Sequence, residues 1–251
     1  MPSLDDFAEF LELDARKVGE IFHVRHDIES SLPAGIVLAG GKSARMGGED
    51  KAFLPLNGRP FICGIVEELE KVCDELLVVI GNKPKSKFEE LFSGRARIIN
   101  DSYNLESPLG GLMTAFEITR SEYAIAVACD TPFVTSELFL RLLKKANSRQ
   151  AVVPIWRSSG AMEPLCAAYQ VRAALAAANR AVLGGNRGCR HMIAELRNVA
   201  FVDGELLSES FELSPFSNIN TKKDYWMLLE NARRQLRERE RQKITPLSRI
   251  S

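Results

Sequence analysis

Apolar and polar positions alternate in blocks along most of the chain. Ile36–Leu38, Leu76–Ile80, Ile98–Ile99, Ala124–Ala128 and Ala151–Ile155 are short apolar runs, and most of them stop at Gly, Asn, Cys or Asp. Runs of that length, rich in Val and Ile, predict buried strands. Between them, residues 61–72, 85–92, 109–119 and 135–146 carry apolar side chains at helical spacing. Pro108 suits the opening of the third helix and Thr135 the cap of the fourth. Cys166–Tyr169 predicts a further strand, followed by helices over Val171–Asn179 and His191–Leu196 and another from Lys222, with Thr221 as its cap. Strands alternating with helices predict an α/β fold, a mostly parallel, Rossmann-like sheet covered by helices on both faces. Ahead of it, Leu4, Phe7, Leu11, Val18, Ile21 and Phe22 fall at mostly helical spacing. The expected organisation is a short helical appendage over 1–32, a main domain over 33–232 and a basic tail over 233–251.

The polar residues fall in a pattern of their own. Gly40, Asn82, Asp101 and Asp130 each follow the end of a predicted strand. In open α/β sheets the ligand crevice lies at the carboxyl ends of the strands, so four separate strand ends point toward one crevice. Asx residues are also common turn formers after strands, which accounts for any one of them alone. The stretch Gly35–Lys51 reads GIVLAGGKSARMGGEDK, a strand leading into a glycine-rich loop with Lys42, Arg45 and Lys51. Glycine lets a backbone approach a ligand closely, and loop amides with basic side chains hold phosphate oxygens. The stretch does not follow the P-loop pattern, because Ile36 stands where the first glycine is needed. It does not follow the dinucleotide pattern G-x-G-x-x-G, because Lys42 replaces the second glycine.

The run L-A-G-G-x-S-x-R-M-G, the later Asp50-Lys51 pair, the Glu163-Pro164-Leu165 stretch leading to Tyr169, and Asn218-Ile219-Asn220-Thr221 together resemble the molybdenum cofactor guanylyltransferase family. The resemblance covers about residues 35–225. It implies a nucleotidyltransferase fold and an enzyme that transfers GMP from GTP to the phosphate of molybdopterin, releasing pyrophosphate with Mg²⁺ as the metal. It implies that Leu38, Ala39, Gly40, Gly41, Lys51, Asn82, Asp101 and Asp130 contact the nucleotide. Arg45, Lys51 and Asp130 would carry catalysis, with Asp130 the metal ligand. No protein nucleophile is required, because the acceptor phosphate attacks the α-phosphorus, so positioning and charge neutralisation do the work. Asn220 would approach the second substrate or the metal. The basic loop Gly184–Arg190 fits a phosphorylated acceptor held by Arg187 and Arg190, and fits equally a turn with two solvated arginines. Cytidylyl relatives resemble L-A-A-G instead. Gly40 would leave room for a purine, and Asp101 or a neighbouring carboxylate could accept from guanine. A transferase for another small phosphorylated acceptor, or a non-catalytic nucleotide-binding scaffold, stays open beside this reading.

Composition changes the picture little. Hydrophobic residues make up 45% and charged residues 26%, ordinary for a globular protein. No apolar run approaches membrane-span length, and the acidic start lacks a basic-then-apolar leader, so a cytoplasmic protein without a membrane partner is expected. Cys63, Cys73, Cys129, Cys166 and Cys189 are scattered, which predicts reduced core thiols rather than a zinc site. His23 and His26 lack a third ligand. The zero net charge hides two tails, with eight acidic against three basic side chains in 1–32 and nine basic against four acidic in 222–251. They read as solvated faces, or as surfaces for self-association or a protein partner; nothing suggests nucleic acid.

Overall fold

In the computed structural model, the described residues are 32–41, 50–56, 58–103, 105–219, 221–227 and 230. The expected N-terminal helices and the tail beyond residue 230 lie outside them, as do Arg45 and Asn220.

A seven-stranded sheet runs in the order β5-β4-β1-β6-β8-β7-β9. Its strands are β1 (Ala34–Leu38), β4 (Glu75–Val79), β5 (Arg97–Ile99), β6 (Tyr123–Ala128), β7 (Ala151–Ile155), β8 (Cys166–Gln170) and β9 (Val199–Asp203). A small hairpin, β2 (Pro55–Leu56) with β3 (Arg59–Pro60), turns at Gly58, where φ is +80°. β1 is central, paired in parallel with β4 on one side and β6 on the other. β5 continues the parallel half. β8 runs antiparallel between β6 and β7, and β9 closes the edge parallel to β7. The sheet is therefore mixed beyond β6, while its first four strands point their carboxyl ends the same way.

Each face is covered, and the alternation along β1 shows why its sequence is continuously apolar. Val37 joins Val78, Val127, Ile62, Ile65, Leu69, Leu138, Phe139 and Leu142 on one face. These helical residues come from α1 (Phe61–Glu70) and α4 (Ser136–Ala146), and α2 (Ser86–Phe92) adds Phe88 and Phe92. Ile36 joins Leu77, Val79, Ala126, Tyr169, Leu109, Leu112, Phe116, Ala177 and Met192 on the other. That layer is built from α3 (Pro108–Ile118), α5 (Val171–Leu183) and α6 (Cys189–Ala194). Tyr169 is fully buried, and its hydroxyl donates to the Pro164 carbonyl at 2.7 Å, so the buried phenol keeps a partner. All five cysteines are buried, unpaired thiols.

The helix starts follow the expected chemistry. Ser107 accepts from the Leu109 N–H with Pro108 in the first turn of α3, and Thr135 accepts from the Leu138 N–H in α4. α5 runs past Asn179 to Leu183, further than the sequence suggests, and ends against Gly184 and Gly185, the latter at φ +81°. β9 and the following α7 (Gly204–Glu209) are additions to the expected set.

Candidate active site

The carboxyl ends of β1, β4, β5 and β6 meet along one rim. Leaving β1, the Ala39 N–H bonds the Val79 carbonyl at 2.7 Å, so the chain stays tied to β4 for one residue more. Gly40 then passes against Gly81 so closely that a Cβ on Gly40 would lie 2.9 Å from the Gly81 nitrogen. Gly81 itself sits at φ +63°, the left-handed region that favours glycine. The glycine at 40 is thus required by backbone packing, a different reason from room for a purine.

Asp130 lies just past β6. The Thr131 hydroxyl folds back onto the Ala128 carbonyl at 2.7 Å, and the Cys129 N–H donates to the Leu38 carbonyl at 3.0 Å. This turn fixes Asp130 beside β1. Cys129 itself is buried, and burial pushes its thiol up to about 12, leaving it a neutral filler. The Asp130 carboxylate accepts from the Lys51 ammonium at 3.1 Å, with side-chain exposures of 21% and 16%, low enough for the pair to feel weak screening. Lys51 opens a single 3-10 turn, Lys51–Phe53, capped by Asp50 through the Ala52 N–H at 3.2 Å. From the far side of the chain, the Ile219 N–H donates to the Asp130 carbonyl at 2.9 Å. The chain at Ile219 is therefore anchored to Asp130, with the neighbouring Asn218 exposed.

Two further groups bear on the crevice. Lys83, past β4, donates to the Ala39 carbonyl at 2.5 Å and to Asp50 Oδ1 at 2.7 Å. Glu163, between β7 and β8, accepts from Trp156 Nε1 at 2.7 Å. Burial raises the Glu163 carboxyl above its ordinary value; the Trp156 bond and the charge of Arg190 pull it down, and Asp130 pushes it up. The charges of both Asp130 and Arg190 thus reach Glu163. Trp156 stacks edge-on with Phe216 at 5.6 Å between ring centres, joining this wall to the segment that ends on Asp130.

The family model of the MobA-like NTP transferase domain matches residues 35–199, from β1 to the start of β9. The chain belongs to that family. It is a nucleotidyltransferase by that membership. The molybdenum cofactor guanylyltransferase of Desulfosudis oleivorans is 32% identical over 190 residues, spanning 76% of this chain and 91% of that protein. A protein of Methanosarcina acetivorans named "Probable molybdenum cofactor guanylyltransferase" is 33% identical over 195 residues, 75% of this chain and 86% of its own length. The structure of molybdopterin-guanine dinucleotide biosynthesis protein A from Archaeoglobus fulgidus superposes with a TM-score of 0.66 at 27% identity, covering 80% of this chain and 99% of that one. The 4-diphosphocytidyl-2C-methyl-D-erythritol synthase of Anaerococcus prevotii superposes with a TM-score of 0.64 at 14% identity, over 83% of this chain and 99% of that one, a likeness of fold alone.

In this MobA-like domain the residues marked by the sequence do not all stand alike. Leu38, Ala39, Gly40, Lys51 and Asp130 come together at the ends of β1 and β6. Gly41 follows with open space where a Cβ would point, among the described residues. Asn82 is exposed on the turn after β4. Asp101 is turned toward α3: its Oδ1 accepts from the Tyr103 N–H at 2.8 Å and lies 3.0 Å from the Thr114 hydroxyl. Gly110 gives it room, since a Cβ there would lie 2.9 Å from Asp101 Oδ2. Asp101 therefore braces the β5–α3 turn. Arg187 is exposed on the loop between α5 and α6 and Arg190 on the first turn of α6; the loop backbone is tied to the cap of α3 by the Ser107 hydroxyl, which donates to the Arg187 carbonyl. Lys83 and Trp156 carried no sequence signal. Lys83 acts through partners distant in the chain, and no motif or periodicity marks either residue.

Mg²⁺ is the metal implied by the sequence resemblance. Among the described residues no three His, Cys, Asp or Glu side chains gather as a ligand cluster. Mg²⁺ keeps several waters and binds through one or two carboxylates plus substrate phosphates. Asp130 at the crevice is a carboxylate of that kind.

Proposed function

We propose that the protein transfers GMP from GTP to the phosphate of molybdopterin, forming the guanine dinucleotide cofactor and releasing pyrophosphate. The observation that carries this reading is the Lys51–Asp130 pair at the junction of β1 and β6, beside the start of the glycine-rich loop. One acidic and one basic group, held side by side, serve the two demands of nucleotidyl transfer. Lys51 neutralises triphosphate oxygens, and Asp130 holds the metal. Mg²⁺ held by Asp130 would supply positive charge to offset the charge that develops on the phosphate. The pair changes partners on binding: Lys51 turns from Asp130 to phosphate, so neither charge is left unpaired in the crevice.

The Gly40–Gly41 backbone and Arg45 complete the phosphate side. An acceptor phosphate oxygen forms its bond to the α-phosphorus as the bond to the bridging oxygen breaks, and the pyrophosphate takes the electron pair. The acceptor enters past Glu163, Arg187 and Arg190, whose two guanidinium groups suit its phosphate, and Asn220 is a further residue for that substrate. Bidentate donors make Arg the apt residue for that task.

The choice of GTP rests on the guanylyltransferases among the relatives, since Gly40 answers to Gly81 rather than to the base. Calorimetric titration with the Mg²⁺ complexes of GTP, CTP and ATP, followed by assay of pyrophosphate release with molybdopterin, tests the reading. Selective GTP binding and GTP-dependent release are expected. Preference for CTP, or release with no requirement for molybdopterin, would replace it.

A further inference from the structure

We infer that Lys83 is a positioning residue that clamps together the two ends of the glycine-rich loop and thereby sets Lys51 for the triphosphate. The inference rests on the reading that this loop holds the triphosphate.

One ammonium group reaches both ends of the loop. Its hydrogen bond to the Ala39 carbonyl, 2.5 Å long, fixes the residue from which the loop departs. Its bond to Asp50 Oδ1, 2.7 Å long, fixes the residue at which the loop returns. Asp50 Oδ1 also caps the turn that begins with Lys51, through the Ala52 N–H at 3.2 Å. Lys51 in turn meets Asp130 at 3.1 Å. Lys83 has an anchor of its own. Asn100, past β5, donates through Nδ2 to the Lys83 carbonyl at 3.0 Å and to the Gly81 carbonyl at 2.9 Å. The chain of contacts runs Asn100, Lys83, Asp50, Lys51, Asp130, from the end of β5 past the end of β4 to the end of β6.

Charge explains why a lysine stands there. An ammonium has three donors and no acceptor, so it can hold a carbonyl and a carboxylate together. The Lys83 and Asp50 side chains are 21% and 25% exposed. Pairing Asp50 with Lys83 also offsets one carboxylate near a polyanion site, where an unpaired one would repel phosphate. Lys83 acts through Asp50 and Ala39 and makes no contact with phosphate itself.

Lys83→Met, Lys83→Arg, Asp50→Asn, the double variant Lys83→Met/Asp50→Asn and Lys51→Met are titrated with Mg²⁺–GTP, and each is melted. Lys83→Met is expected to weaken GTP binding about tenfold, the scale of lost charge-assisted hydrogen bonds. Lys83→Arg should restore most of it, and Asp50→Asn should reproduce part of the loss. The double variant should bind no worse than Lys83→Met, because both changes break one clamp. If Asp50→Asn binds GTP as tightly as the wild type or tighter while Lys83→Met binds weakly, Lys83 touches phosphate directly and the clamp is wrong. Additive losses in the double variant overturn it too, as does a lowered melting temperature with unchanged affinity. Should Lys83→Met not fold, Asp50→Asn decides alone, and unchanged affinity refutes the clamp. Lys51→Met separates the two levels. Wild-type affinity in that variant refutes the triphosphate site itself, whereas weak binding there with full affinity in Lys83→Met refutes only the role of Lys83.

Discussion

Gly40 and Gly81 lie back to back, and neither tolerates a side chain: a Cβ on Gly81 would stand 2.9 Å from the Gly40 carbonyl oxygen. The contact fuses the turn after β4 to the start of the glycine-rich loop. Gly81→Ala combines a clash with a left-handed φ of +63°. A loss of about 1–3 kcal/mol is expected, read as a lower denaturation midpoint. Because the contact shapes the backbone and not a base pocket, Gly40→Ala should weaken GTP and CTP binding in the same proportion. A selective loss of GTP on calorimetric titration would return Gly40 to the role of purine discriminator.

Asp130 separates chemistry from stability. Its carbonyl keeps the Ile219 N–H whatever its side chain, and its carboxylate pairs with the partly exposed Lys51. The Asn amide oxygen can still accept from the Lys51 ammonium, so Asp130→Asn should cost at most about 1–3 kcal/mol and shift the melting temperature by only several degrees. Turnover should fall at least about a hundredfold if the carboxylate holds the metal that stabilises the transferring phosphate. Pyrophosphate release across a Mg²⁺ series checks it, and near-normal Mg²⁺-dependent turnover in the variant would remove Asp130 from the metal site.

Much of this site was legible because its parts lie at the ends of continuous apolar runs. Ile36–Leu38, Leu76–Ile80 and Ala124–Ala128 announce buried strands, and the residues that follow them must line the same rim. What stayed hidden is long-range. Lys83 is one of several lysines in a polar stretch until the fold brings it to Ala39 and Asp50. β9 escaped because Val199, Ala200 and Phe201 are only partly covered, as befits an edge strand that lacks a clean buried pattern. α5 outran its expected end because Asn179 reads as a stop, yet it sits exposed in the helix, and the buried Ala174, Ala177, Ala178 and Ala181 carry the turns past it.

Ser107 does two tasks, capping α3 and donating to the Arg187 carbonyl. Ser107→Ala removes both. Loss of the cap costs about 1 kcal/mol. Loss of the tether frees the loop that carries Arg187 and leads into Arg190 at the start of α6, so the KM for the acceptor should rise while affinity for Mg²⁺–GTP stays unchanged. Steady-state assays varying each substrate in turn distinguish the two. An effect on GTP affinity of equal size would mean that the loop does not belong to the acceptor side.

Glu163 should show in the pH dependence of stability. Burial is the largest cause of its raised pKa, ahead of the opposing Trp156 bond, so the folded chain binds this proton more tightly than the unfolded chain, whose value is near 4.5. Between that value and the raised one, the folded state carries more protons than the unfolded state. Stability then falls as pH rises through the window, and the deficit is complete once pH exceeds the folded value. Glu163→Gln keeps an oxygen for Trp156 Nε1 and cannot ionise. The variant should therefore gain on the wild type as pH increases from about 4 to 7, with the gap closing toward acid. Melting temperatures of the two proteins across that range test it. A constant gap would mean that the carboxylate titrates as it does in the unfolded chain, and a gap that widens toward acid would mean that the pull of Arg190 and Trp156 outweighs burial.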